Sequence, residues 1–71
     1  MAQIEVFKTN VRNKRDASKI LRILSIFDPD YNANFDIDDC DKILRVESNN
    51  EISSDAIIEL LKYNDFNCEI L

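Results

Sequence analysis

Along this chain the apolar residues switch between two spacings, and the order of the switches limits the folds open to it. In "QIEVF" Ile4 and Val6 alternate with Glu5 and Phe7, a period of two that predicts a strand. Ala17, Ile20, Leu21, Leu24 and Phe27 then recur every three or four residues, so a helix from about Lys14 to Phe27 has one apolar face. Asn13 is placed as its N-cap, and Asp16 to complete a capping-box-like exchange. Asp28-Pro29 ends the helix, because the residue before a proline is pushed out of the α region. "YNANFDI" alternates again, with Tyr31, Ala33, Phe35 and Ile37 set against Asn32, Asn34 and Asp36, which predicts a second strand with one wet face. "DDCD" is a polar turn and "KILRVE" a third strand, and the short gap between the two strands predicts an antiparallel hairpin. After "SNNEISS", where Ser53 or Ser54 is the expected N-cap and Asp55 favours the positive helix end, Ala56, Ile57, Leu60 and Leu61 mark a second helix. Asn64 is the expected left-handed stop in a chain without glycine, and "FNCEIL" closes as a strand with Phe66, Cys68 and Ile70 on one face.

The resulting order, βαββαβ, predicts an α+β fold of the ferredoxin-like plan: a four-stranded antiparallel sheet with two helices on one face and the other face more exposed. Residues 1–71 form one domain, and at this length folding buries only about 60% of the unfolded surface, which leaves little room for a deep active-site cavity. A formal charge of -5 and a pI near 4.5 speak against nucleic acid as a partner, since phosphate binding needs a dense cationic surface. No apolar run approaches the roughly 20 residues that cross a bilayer, and "MAQIEVFK" lacks a signal-peptide layout, so a cytoplasmic protein without membrane contact is expected. The chain has no His, and Cys40 and Cys68 do not form a zinc-ligand spacing; free thiols, no metal and no cofactor are the expectation.

The junction "KTNVRNKRDASKIL" places the basic residues Arg12, Lys14 and Arg15 and the amides Asn10 and Asn13 at the entrance of the first helix. Its continuation "VRNKRDASKILRIL" resembles the heavy-metal-associated domains of copper chaperones and metal-transporting P-type ATPases. Those domains share the βαββαβ fold and carry Met-x-Cys-x-x-Cys in this loop, with apolar residues four and eight positions after the second Cys. Ile20 and Leu24 take those apolar positions here, which sets Val11 at the Met, Asn13 at the first Cys and Asp16 at the second. "NFDIDDCDKILRVES" looks like the family's central hairpin and "DFNCEIL" like its closing Gly-Tyr strand, with Asp65 in place of Gly. The resemblance therefore spans essentially the whole chain and implies the family's fold.

It does not imply the family's chemistry. Copper(I) needs soft thiolates, which neither an amide oxygen nor a carboxylate replaces, and Arg12, Lys14 and Arg15 make the loop still less suited to a cation. What the residues point to is a non-catalytic, metal-free binding or adaptor module. Arg12, Asn13, Lys14 and Arg15 would contact an acidic protein or a small anion, because free N–H groups and the dipole at a helix N-terminus favour negative charge. The competing interpretation of the same residues is a solvated, capped helix end. A further alternative is a small enzyme or regulatory ligand-binding domain that uses this loop for a phosphorylated or carboxylate ligand, as acylphosphatases of the same fold class do through an Arg. Both a monomer and a weak homodimer fit so small a sheet.

Two other constellations carry less. "DPDYNANFDIDD" spaces Asp28, Asp30, Asn32 and Asn34 like calcium ligands, but Ala33 stands where an EF-hand needs Gly, and the final bidentate Glu is missing. Cys40 lies among aspartates, which raise a thiol's pKa, and Cys68 alternates with Phe66 and Ile70 as a packing residue would.

Overall fold

The computed structural model describes residues 2–36 and 42–71. Six elements follow in the expected order: strand β1 (Gln3–Thr9), helix α1 (Lys14–Phe27), strands β2 (Asn32–Asp36) and β3 (Ile43–Ser48), helix α2 (Ser54–Tyr63) and strand β4 (Cys68–Ile70). The expected end of the second strand at Ile37, the polar turn 38–41 and Cys40 lie outside the described residues.

The strands form one antiparallel sheet in the order β2-β3-β1-β4. β1 and β3 are the central pair, with Phe7 opposite Leu44 and Glu5 opposite Val46, and β2 adds Phe35 beside Leu44. Since β1 and β2 both run antiparallel to β3, the β1-α1-β2 connection joins two parallel strands with β3 between them. The β3-α2-β4 connection likewise joins parallel strands across β1. The chain is thus an α+β domain with two interleaved crossovers.

One apolar cluster holds it together. Phe7, Leu44 and Val46 share a sheet face and pack with Ile20 and Leu24 of α1 and Ile57 and Leu61 of α2, so both helices cover that face. All seven are fully buried, each worth about 1.5–3 kcal/mol relative to exposure. The opposite face keeps Lys8, Arg45, Asn32 and Asn34 in solvent.

The phase of β1 is a finding that alternation alone does not fix. Phe7 is 0% exposed and Ile4 56%, so the set containing Glu5 and Phe7 faces the helices and the more uniformly apolar set, Ile4 and Val6, faces away. The phenyl ring sits mid-sheet against Leu44, whereas the polar member Gln3 falls at the strand's end, where its Oε1 accepts a hydrogen bond from the Ile52 N–H at 3.0 Å. The inward set also includes Thr9, which is buried at the other end of the strand, so the phase follows the register with Leu44 and Val46 and not the apolar content of "QIEVF" alone.

The helix ends show how turns are made without glycine. Asp28, in an extended conformation, closes α1 and donates its N–H to the Leu24 carbonyl at 3.0 Å. Ser53, not Ser54, caps α2, its hydroxyl accepting from the Ala56 N–H. The left-handed stop expected at Asn64 lies one residue later: Asn64 has φ -97 and Asp65 has φ 69. Asp65 N–H then donates to the Lys62 carbonyl and Phe66 N–H to the Leu61 carbonyl, a Schellman closure in which buried Phe66 packs over buried Leu61. Phe66 therefore belongs to the helix stop, and β4 begins only at Cys68.

Candidate functional site

The loop between β1 and α1 is pinned from three sides. Thr9 Oγ1 donates to the Lys42 carbonyl at 2.8 Å and accepts from the Val11 N–H at 3.4 Å. Asn10 makes a two-way exchange with Asn67, its N–H donating to the Asn67 carbonyl at 3.2 Å and its Oδ1 accepting from the Asn67 N–H at 3.0 Å. Val11, 2% exposed, plugs into the core, so the residues after it leave the surface at a defined place.

Arg12, Asn13, Lys14 and Arg15 follow directly, and all four are exposed. Asn13 is the N-cap of α1: its backbone is extended and its Oδ1 accepts from the Asp16 N–H at 2.9 Å. The Asp16 carboxylate turns back and accepts from the N–H of Arg12 at 3.3 Å, with the Arg12 Nε at 3.6 Å. The reciprocal bond expected from a capping box is therefore displaced by one residue, onto Arg12 instead of Asn13. The Arg12 side chain of this pair is open to solvent, the Asp16 side chain is largely covered, and at 3.6 Å the pair contributes little to stability.

Two consequences follow. The amide and carboxylate at the positions that resemble metal-ligand sites are both occupied in capping the helix. The Asp16 carboxylate also stands where a small anion would approach the helix dipole, so Lys14 and Arg15 project beside an end already partly neutralised. Among the described residues neither Lys14 nor Arg15 has an ion-pair partner, and α1 carries both in its first turn.

The remaining sequence candidates have structural employment. Asp28 Oδ1 accepts from the Asp30 N–H at 3.0 Å, Asp30 Oδ2 accepts from Asn50 Nδ2 at 2.8 Å, and Asn32 and Asn34 stand in β2. Among the described residues no group of His, Cys, Asp or Glu is placed to hold a metal ion. Cys68 lies at the start of β4 opposite Thr9, and burial pushes its thiol up to about 11, so it stays protonated and serves packing. It borders a shallow concavity of about 280 Å³ with Lys8, Asn10 and Glu69.

Sequence reasoning missed two further concavities, on either side of β2. One of about 290 Å³ lies between α1 and β2, lined by Lys14, Ala17, Leu21 and Phe35 among others; one of about 240 Å³ lies on the open face, formed by Asn34, Phe35, Ile43 and Arg45. Their parts come from segments distant in sequence, and no local pattern marks them. No described helix is long and apolar enough to cross a membrane. No protein-family model matches the chain, and no curated protein matches it.

Proposed function

We propose that this is a ferredoxin-like, heavy-metal-associated-like domain that acts as a non-catalytic, metal-free binding or adaptor module, contacting an acidic protein through Arg12, Asn13, Lys14 and Arg15. The fold assignment draws support from the two interleaved crossovers with β1 and β3 as central pair. The family resemblance draws support from Val11, buried where the family has Met, and from Asp65, left-handed where the family has Gly.

One observation carries the functional part: two exposed cations occupy the first turn of α1, where the helix dipole disfavours them, on a loop pinned by Thr9, Asn10 and Val11. Cations held at a fixed place without an internal partner among the described residues are suited to meet an external carboxylate at low ordering cost. Because the Asp16 carboxylate already stands at the helix end, an extended acidic surface fits this site better than a small anion. The test is affinity capture from the lysate of the organism that makes the protein, with wild type beside an Arg12→Ala, Lys14→Ala, Arg15→Ala variant. A protein retained by the wild type and lost with the variant is the expected result; equal recovery would reduce the loop to a solvated helix cap.

A further inference from the structure

The open face of the sheet, which no helix covers, carries an apolar strip along β1. Ile4 is exposed there and Val6 half-buried. Leu71, whose N–H donates to the Val6 carbonyl at 3.0 Å, continues the register of β4 beside Val6 and is 68% exposed. Next to this strip β3 sets Glu47 opposite Ile4 and Arg45 opposite Val6, and β2 sets Asn32 and Asn34 beyond them. The whole chain has a net charge of -5, yet the described charged side chains of this face, Lys8 and Arg45 with Glu47 and Glu69, balance one another. Two copies of an acidic chain can therefore approach through this face without opposing their net charge.

The half of the face nearer the start of β1 is complementary to itself. Take a second copy turned by a two-fold axis that lies in the plane of contact, crosses the strands, and passes between the Ile4–Glu47 pair and the Val6–Arg45 pair. β1 then lies over β1 and β3 over β3, running in opposite directions. Arg45 of each copy lies over Glu47 of the other, Val6 over Ile4, and Asn34 over Asn32. Moving the axis by one residue along the strands, in either direction, sets Arg45 over Arg45 or Glu47 over Glu47, so charge selects the register. Nearly aligned strands in two sheets about 10 Å apart are the ordinary geometry of stacked sheets. We infer that a second copy of this chain covers this face, as a two-fold pair centred on Ile4, Val6 and Leu71 and fixed by two reciprocal Arg45–Glu47 ion pairs. Only half of the face overlaps, which makes the pair weak and reversible. Because the strands run in opposite directions, the two β1-α1 loops project from opposite ends of the pair. The inference does not rest on the loop contact and leaves residues 12–15 of both copies free to make it.

The experiment is sedimentation velocity of the full chain from about 10 μM to about 1 mM, the range of a weak association. The expected result is an average mass that climbs toward twice that of the chain. Arg45→Glu alone and Glu47→Arg alone should each weaken association by about tenfold, since each opposes like charges across the axis. The two single variants mixed in equal amounts should associate as the wild type does, because every cross-axis contact then joins opposite charges again. The double variant Arg45→Glu, Glu47→Arg should do so by itself. A monomer at the highest concentration would overturn the inference. Association indifferent to both single substitutions would overturn it too, and would move the contact to another surface such as an edge strand. Loss of association in both single variants with no recovery on mixing would likewise overturn it, since reciprocal pairing requires that recovery.

Discussion

The two helices of this domain bury similar stripes and carry opposite charge arrangements. α2 places Asp55 in its first turn and Lys62 in its last, the pattern that complements the helix dipole. α1 places Lys14 and Arg15 in its first turn, has no base in its last, and ends on Asp28, with only Asp16 working in the favourable sense. Both are N-capped by a polar side chain, so both satisfy the first turn in the same way. The chain therefore has the favourable arrangement available and uses it in one helix only. The cations at the start of α1 are not what makes it a helix, as the proposed surface role requires of them.

The largest expected effects test the part of the comparison that should be equal. Leu24→Ala in α1 and Leu61→Ala in α2 each empty a fully buried position and should cost about 2–5 kcal/mol in denaturant unfolding. For a domain this small that is a large share of the total stability. A cost confined to one helix would show that the cluster is not shared.

A second effect belongs to the α2 side, where Cys68 sits on β4. Its folded pKa of about 11 lies above the ordinary 9.0, so the protonated thiol favours the folded state. That contribution is complete below about pH 9 and is lost as pH rises toward 11. Stability curves between those values should fall more steeply for wild type than for Cys68→Ala; parallel curves would mean that the thiol is not desolvated.

The helix ends give a smaller contrast. Asp65 occupies the left-handed region at the close of α2, and Asp65→Gly should raise stability by about 0.5–1 kcal/mol in thermal melts, since glycine carries no Cβ penalty there. Asp28, extended at the close of α1, should gain nothing from the same change. A destabilised Asp65→Gly would show that the carboxylate, not the backbone, is needed at that turn.

How much of this was legible in the sequence depended on the range of the interactions. The bounds of α1 could be read residue for residue, because Asn13, the three-and-four spacing and Asp28-Pro29 act within a turn of the chain. The stop of α2 was displaced from Asn64 to Asp65, because a Schellman closure is fixed by which residue can bury itself over Leu61, and that is Phe66. The phase of β1 and the strand order depend on partners some forty residues away, and alternation is silent on both. At the candidate site the cap and the exposed cations were legible, while the pinning by Lys42 and Asn67 and the concavities on either side of β2 required the tertiary fold.

A charge reversal at the start of α1 bears most directly on the central claim. Lys14→Glu with Arg15→Glu gives the first turn of α1 the charge sign found in the first turn of α2, and the variant's free energy of unfolding, measured by urea titration at low ionic strength, is the decisive quantity. If the cations serve an external contact, each reversal removes an unfavourable dipole interaction, and the double variant should be more stable by about 0.5–1.5 kcal/mol. A double variant less stable than wild type would mean that Lys14 and Arg15 hold the domain itself together, and would contradict their assignment as a docking surface.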